Sequence, residues 1–296
     1  MNQTPSVVDG DLPQLFQAAD VASQAGQRAY VGMTRWRLVM LSAAATVSVA
    51  SWRVGSGDID VLAGVAALLF VAALMLEVVL WRSRPDKAWY DGRAVAESAK
   101  SVAWKFAVGG NPFPVDADSE AMRAKLIRRL KFIREQYPEL ELEPISAPAI
   151  SNWMIEQREQ DLDSRKSVYL NERVRGQRSW YEKKARYNRR RRSQWRVASL
   201  ALEFAGFLAS ALGVVMDMQV VVAPAIAAIA GGVVAWLETK QHDNLYRAYS
   251  AAVSDLTNIE ASLQIVRDED RWVLEVDDAE EAISREHVGW RASRSR

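Results

Sequence analysis

The chain has 296 residues with 38 Lys and Arg against 37 Asp and Glu, so its net charge is close to zero, and it contains no cysteine. This composition excludes disulfide scaffolds, thiol nucleophiles and Cys-based zinc sites, and two histidines, His242 and His287, are too few for the usual histidine-metal clusters. We therefore expect no bound metal or cofactor and no enzyme activity.

Apolar residues are concentrated in long segments. Residues 38–52 and 61–76 contain no charged side chain, and residues 197–237 contain only Glu203 and Asp217. A helix needs roughly 17–25 apolar residues to cross the ~30 Å hydrocarbon core of a bilayer. The sequence therefore predicts an all-α integral membrane protein with four transmembrane helices arranged as two hairpins. The spans are expected at about 37–54, 59–81, 195–216 and 219–237.

Basic side chains lie on one side of these predicted spans. Lys and Arg cluster before the first span, between the second and third, and after the fourth, whereas the two short loops contain only Arg53. The positive-inside rule then places both termini and the middle of the chain in the cytoplasm. Buried helices of a soluble bundle are the alternative interpretation, but such helices would have a polar outer face, which these segments mostly lack.

The charged segments predict long cytoplasmic helices. Helices are expected at residues 10–36, 89–106 and about 118–136, with a Gly- and Pro-rich break at 108–114. Three prolines between 138 and 148 mark a linker. We place the boundary between two domains there, so the predicted domains are 1–148 and 149–296.

The second predicted domain begins with one long helix, 150–195, which leads into the third span. Ile155, Leu162 and Tyr169 repeat at heptad spacing and predict coiled-coil-like packing. Residues 175–196 are strongly basic and residues 254–287 strongly acidic. A weaker hypothesis follows, in which the acidic C-terminal segment docks on the basic helix and holds the protein in a closed state.

The third span carries a stripe of small, polar and acidic residues at spacings of three and four, which places them on one face of a helix. A carboxylate in hydrocarbon is costly, so Glu203 should face water or a partner. Such a face suits a cation path. Glu77 of the second span is a further, lower-ranked candidate. The pore-lining candidates are Ser199, Glu203, Gly206, Ser210, Gly213, Asp217 and Glu77.

Two rows of small residues offer a different interpretation of the same spans, because small side chains let membrane helices pack closely. If these rows pack the hairpin, the polar stripe is left either for a pore or for a structural polar contact, and the sequence favours neither. The helix-packing candidates are Ala201, Ala205 and Ala209 on the third span, and Ala223, Ala227, Gly231 and Ala235 on the fourth.

A basic run lies directly before the third span. It contains Arg189, Arg190, Arg191, Arg192 and Arg196. Such a run could bind nucleic acid, but its position beside a membrane span is better explained by topology and anionic lipid. We therefore expect a lipid bilayer, and no nucleic acid, as a partner.

Each half of the chain contains a set of aromatic motifs next to its predicted hairpin. The first half has Trp-Tyr-x-Gly-Arg-Ala at 89–94, followed by Glu-Ser at 97–98. The second has Tyr-Leu-x-x-Arg-Val at 169–174 and a Trp-Tyr pair before its hairpin. The motif residues are Trp89, Tyr90, Arg93, Glu97, Trp104, Trp180, Tyr181, Asn188, His287 and Trp290. With these residues the chain resembles the SLATT family of bacterial two-transmembrane effector domains, with one such domain in each half.

The resemblance implies a bacterial inner-membrane effector of conflict or anti-phage systems. Such an effector would oligomerise and open a pore when a cytoplasmic sensor or a nucleotide second-messenger system detects infection. With the polar stripe, this predicts a homo-oligomeric, cation-favouring pore that damages the membrane. A non-conducting membrane scaffold that recruits a cytoplasmic signalling partner is the alternative.

Overall fold

The structure is a computed structural model that describes residues 9–54, 59–215 and 222–292, with the backbone alone at residues 9, 54 and 285–292. The described chain is almost entirely helical, which confirms the predicted all-α class. The helices are α1 (Gln14–Val47), α2 (Val61–Ser83), α3 (Pro85–Val108), α4 (Ser119–Glu135), α5 (Asn152–Arg158), α6 (Leu162–Val168), α7 (Gly176–Val215), α8 (Val222–Lys240), α9 (His242–Ile265) and α10 (Glu269–Ala292).

Short elements complete this helical chain. A turn of 3-10 helix, Asp9–Asp11, precedes α1, and a π-helical segment, Tyr169–Arg175, joins α6 to α7. The strands β1 (Arg53–Val54) and β2 (Ile59–Asp60) form a two-stranded antiparallel ladder. Asp60 then begins α2, because its carboxylate accepts hydrogen bonds from the backbone N–H groups of Leu62 and Ala63.

Three helical stretches contain a segment long and apolar enough to cross a membrane: Val61–Val108, Leu162–Val215 and Val222–Ile265. The first is interrupted at Arg84 and the last at Gln241, where φ is positive. The three stretches hold the described helical parts of the second, third and fourth predicted spans. The first predicted span lies on α1, and its predicted end at residue 54 is wrong. The helix stops at Val47 because the chain after it forms the strand pair and the cap of α2. A membrane crossing by α1 stays a prediction.

The predicted unbroken helix 150–195 is also wrong in its first part. The chain leaves helical structure between Arg158 and Leu162, where the Asp161 carboxylate accepts a hydrogen bond from the Ser164 backbone N–H at 2.8 Å and caps α6. From Leu162 to Val215 the helix is continuous. The break separates Ile155 from Leu162, so the predicted heptad seam does not run along one helix.

The chain divides into two compact units, and both predicted domains contribute to each of them. The polar unit consists of Met1–Gln27, Asp86–Ala185 and Arg247–Arg296. The apolar unit consists of Arg28–Pro85 and Arg186–Tyr246. The two units therefore do not coincide with the predicted domains 1–148 and 149–296. The predicted boundary between residues 148 and 149 stays a prediction.

The core of the polar unit is built from one face of each of its amphipathic helices. On α4, Leu126, Leu130 and Ile133 are buried at spacings of four and three, as the periodicity predicts. The Asp118 carboxylate caps this helix by accepting from the Ala121 N–H at 2.7 Å. The other residues packed in the same core include Leu12 just before α1, Phe16 and Ala19 of α1, Val95, Ala99, Ala103 and Phe106 of α3, and Met154 of α5.

The apolar unit has the opposite surface. Large apolar side chains are exposed along its helices, among them Leu68, Leu74 and Trp81 on α2 and Phe204 and Phe207 on α7. Contiguous apolar surface of this extent marks a partner or a membrane rather than water. Within this unit, Gly232 of α8 lies against Ser42 of α1, where a Cβ atom would collide with the serine side chain.

Candidate functional site

The polar stripe of the third predicted span lies on α7, whose helical spacing puts its members on one face. Glu203 and Ser210 are exposed, while the hydroxyl of Ser199 is buried without a hydrogen-bond partner among the described residues. The Ser210 hydroxyl donates to the Gly206 carbonyl at 2.9 Å. Gly213 is half-buried. Asp217, the last member of the predicted stripe, lies outside the described residues.

Gly206 occupies a contact between α7 and α8. A Cβ atom at this position would lie 3.5 Å from Cγ2 of Ile226, which is ordinary van der Waals distance. By contrast, a Cβ atom at Gly231 would meet open space. The other proposed packing residues divide by exposure: Ala201, Ala205 and Ala227 are exposed, and Ala209, Ala223 and Ala235 are half-buried. The predicted roles of both rows, in packing or in a pore, stay predictions.

Glu77, the second intramembrane acid, has a partner within the apolar unit. Its carboxylate forms an ion pair with the guanidinium of Arg37 on α1. The charge of Glu77 is therefore balanced inside the chain. Among the described residues, Glu203 forms no such ion pair. This difference is consistent with ranking Glu203 above Glu77 as a pore-lining candidate.

The arginines of the basic run before the third span lie on different faces of α7 and have different surroundings. Arg192 forms an ion pair with Asp243 and stacks over Tyr246, with its Cζ 5.2 Å from the ring centre. The guanidinium of Arg191 stacks over Tyr187 at 5.4 Å. Arg189, Arg190 and Arg196 are exposed.

Asn188, one of the family-resemblance residues, lies beside this run. Its Oδ1 atom is 2.7 Å from Nδ1 of His242, and both side chains are buried. This contact joins α7 to the start of α9 within the apolar unit. His242 therefore has an ordinary hydrogen-bonded role in the packing of these helices.

The polar unit contains a fully buried ion pair that the sequence did not reveal. Glu280 on α10 is 0% exposed, and its carboxylate accepts two hydrogen bonds from Arg173, at 2.6 and 2.8 Å. The hydroxyls of Tyr169 and Ser101 donate to the same carboxylate at 2.9 and 2.6 Å. Burial alone would raise the pKa of Glu280, but the charge of Arg173 and these hydrogen bonds lower the pKa below its ordinary value.

The turn that follows α3 is enclosed by residues of the second half of the chain. The indole N–H of Trp272 donates to the Val108 carbonyl at 2.7 Å, and the Asn111 side chain donates to Asp277 at 2.9 Å. Gly109 has a positive φ of 79°, and a Cβ atom at Gly110 would collide with the side chain of Val276. Both glycines are therefore required where α10 approaches the turn.

Two arginines complete the hydrogen bonding of this turn. Arg158 donates to the carbonyls of Phe106, Phe113 and Pro114 at 2.9, 2.7 and 2.5 Å. Burial, followed by the charge of Arg165, lowers the pKa of Arg158 to about 10, so its guanidinium is still charged at neutral pH. Arg165 donates to Val108 O at 2.7 Å and pairs with Glu269.

The acidic C-terminal segment packs within the polar unit, but most of its ion pairs described below are with residues outside the basic segment 175–196 on which it was predicted to dock. Glu260 of α9 pairs with Arg175 and Arg178, as the charge pattern predicts. Three acids of α10, Asp277, Glu269 and Glu280, pair instead with Lys105, Arg165 and Arg173. Because Trp272, Val276 and Glu280 are buried, α10 is part of the core of the polar unit rather than a detachable latch.

The residues that carry the family resemblance are mostly aromatic contacts of the polar unit. Trp89 stacks on Tyr90 with ring centres 5.0 Å apart, and Trp180 packs edge-on to Tyr181 at 5.2 Å. Trp104 packs edge-on to Tyr169 at 5.8 Å. Arg93 joins the two motifs, since it pairs with Glu97 and lies 5.9 Å from the Trp180 ring centre. His287 and Trp290 lie on the part of α10 for which the structure describes only the backbone.

No group of three or more His, Asp or Glu side chains that could hold a metal ion occurs among the described residues. The fold and the surface of the apolar unit define an all-α protein with helices suited to a membrane. Residues 13–166 match SMODS and SLOG-associating 2TM effector domain 3, and residues 169–290 match SMODS and SLOG-associating 2TM effector domain 1.

The chain therefore belongs to the SLATT family of effector domains, with two such domains in tandem. This confirms the resemblance carried by the Trp-Tyr motifs. No curated protein and no solved structure is significantly similar to the chain.

Proposed function

We propose that this chain is a bacterial inner-membrane effector that crosses the membrane four times, with both termini in the cytoplasm, and assembles into a cation-favouring pore. It acts in conflict or anti-phage defence without catalysing a reaction. Both matched domains are described as two-transmembrane effector domains, and two such domains account for four spans. Two hairpins are too few to enclose a wide aqueous path, so conduction requires several copies of the chain.

The observation that carries this proposal is the position of Glu203. Its side chain is exposed on α7 next to Phe204, which is exposed as well, within a stretch that otherwise lacks charge as far as Val215. A carboxylate facing lipid costs roughly 2.5–3.5 kcal/mol or more. A ring of copies that turns this face toward a shared aqueous path removes that cost and gathers cations.

Activation by a cytoplasmic sensor or a nucleotide second messenger would reach the pore through α7. This one helix contributes residues 176–185 to the polar unit and residues 186–215 to the apolar unit. A π-helical segment directly precedes it and contains Arg173, the partner of buried Glu280. Such segments are frequent at functional sites, because they interrupt the regular hydrogen bonding of a helix.

Ion flux from liposomes tests the proposal directly. Full-length wild type, Glu203→Gln and Glu238→Gln are reconstituted at equal density, and the reversal potential is measured in a salt gradient. Glu238 is an exposed acid at the end of α8 and serves as the matched control. We expect cation selectivity to fall several-fold in Glu203→Gln alone. Unchanged selectivity in a well-inserted Glu203→Gln protein would remove Glu203 from the pore.

The scaffold is the second candidate, and two exposed apolar side chains of the polar unit favour it. Ile127 and Phe132 of α4 lie on opposite sides of its buried face, so each is accessible to a protein partner. A scaffold would keep its cellular function when Glu203, Ser210 and Asp217 are all replaced by apolar residues. A pore would lose function in the same variant, so the two candidates give opposite results.

A further inference from the structure

The four consecutive arginines 189–192 do not form one surface. Arg191 and Arg192 are directed at residues of their own chain, over the rings of Tyr187 and Tyr246, and Arg192 also pairs with Asp243. These two arginines therefore have a structural explanation within the apolar unit. Their neighbours Arg189 and Arg190 lie on a different face of α7.

That second face is a continuous basic groove. Its members follow one another at helical spacings of three, one, three, one and three, which aligns them along one side of α7. Arg189, Arg190, Ser193 and Gln194 are all exposed. The groove, here called the outward arginine groove, is lined by Arg186, Arg189, Arg190, Ser193, Gln194 and Val197.

The groove ends where the apolar surface begins. Val197 is exposed, and Leu200 and Phe204 continue the exposed apolar surface beyond it. At 1.5 Å per residue, Arg190 lies about 10 Å along the axis from Val197. Interfacial layers add roughly 5–7 Å on each side of the hydrocarbon core. A long arginine side chain spans the remaining distance, so its guanidinium reaches the level of lipid phosphates.

We propose that the outward arginine groove binds the phosphate groups of anionic membrane lipids. A guanidinium donates two parallel hydrogen bonds to a phosphate, and its charge complements a headgroup with a net negative charge. The hydroxyl of Ser193 adds a donor between the arginines and the apolar surface. The exposed Val197 side chain continues the groove toward acyl chains, which favours a lipid over a water-soluble phosphate.

Native mass spectrometry of the detergent-purified full-length chain tests this site. The protein is titrated with phosphatidylglycerol or with phosphatidylcholine of the same acyl chains, and bound lipid is counted. Arg189→Gln with Arg190→Gln should weaken phosphatidylglycerol binding roughly 30-fold, since each basic group near an anionic surface contributes about fivefold. Phosphatidylcholine binding should not change.

A matched control removes the same charge elsewhere. Arg128→Gln with Arg129→Gln changes two adjacent exposed arginines on α4 and should leave phosphatidylglycerol binding at the wild-type level. Arg189→Lys with Arg190→Lys keeps the charge and should keep most of the binding. Equal phosphatidylglycerol binding by the Arg189/Arg190 glutamine variant and wild type would overturn the proposal. Equally strong competition by inorganic phosphate or glycerol phosphate would overturn the assignment to lipid.

Discussion

The two units of this chain place charge and apolar surface in opposite ways. In the polar unit, charged side chains such as Arg165, Arg173 and Glu280 are buried and paired, and apolar side chains fill a core. In the apolar unit, Leu74 and Phe207 are exposed, and the ion pair Arg37–Glu77 is half-exposed. Water stabilises the arrangement of the polar unit, with its apolar core, and a bilayer stabilises an arrangement with an apolar surface, such as that of the apolar unit.

The largest expected effect concerns the buried ion pair of the polar unit. Glu280→Gln leaves the charge of Arg173 buried without its counter-ion, which costs about 3–5 kcal/mol. We expect the thermal midpoint of the detergent-solubilised protein to fall by about 10 °C or more. Glu281→Gln, a change at the exposed neighbour, is the control and should have little effect. Equal midpoints in both variants would mean that the pair does not stabilise the unit.

Two leucines of equal exposure give the sharpest comparison between the units. Leu74 on α2 is 60% exposed and Leu274 on α10 is 61% exposed. Lysine at the centre of a membrane helix costs about 3 kcal/mol, whereas an exposed site in water tolerates the change within about 0.5 kcal/mol. Leu74→Lys should therefore reduce the membrane-inserted fraction measured by cell fractionation, and Leu274→Lys should not. Similar behaviour of both variants would break the comparison.

The smallest expected effect is a pH dependence within the polar unit. The pKa values of both Asp277 and Glu280 are lowered in the folded chain; for Asp277, burial is outweighed by hydrogen bonds from Asn111 and Lys105 and by the lysine charge. Depressed carboxyl pKa values give stability that is present above the ordinary values and lost as pH falls through the folded ones. The thermal midpoint should therefore decrease as the pH is lowered below about 4, and this decrease should be smaller in Glu280→Gln.

The sequence predicted those parts of the fold that depend on local periodicity. The predicted helix 118–136 agrees with α4, and the spacing of Leu126, Leu130 and Ile133 gives its buried face. The break before α6 also had a local signal, because Asp161 and Ser164 have the spacing of a helix cap. The end of α1 was missed, because apolar composition continues to Trp52 although the helix stops at Val47.

The buried contacts of the polar unit depend on residues far apart in the chain. Glu280 lies in an acidic helix that resembles a solvated surface, and its burial depends on the approach of Arg173, Tyr169 and Ser101, the last of them 179 positions earlier. The split of the arginine run had a partial signal, since a helix turns consecutive residues by about 100°. Which arginine meets Asp243 and Tyr246 depends on the packing of α9, and it is Arg192.

Cysteine labelling in intact spheroplasts tests most directly whether the apolar unit crosses the membrane four times. The chain has no native cysteine, so Ala25→Cys, Ile59→Cys, Gln219→Cys and Glu143→Cys each provide one thiol for a membrane-impermeant maleimide. Ala25 is exposed on α1 before the predicted first span, and Ile59 is 69% exposed in strand β2. Gln219 lies at the predicted start of the fourth span, and Glu143 is exposed in the polar unit.

Four spans with cytoplasmic termini predict labelling of Ile59→Cys and Gln219→Cys in intact spheroplasts, and of Ala25→Cys and Glu143→Cys only after lysis. If Ala25→Cys were labelled in intact spheroplasts together with Ile59→Cys, α1 would not cross the membrane, and the four-span topology would be contradicted.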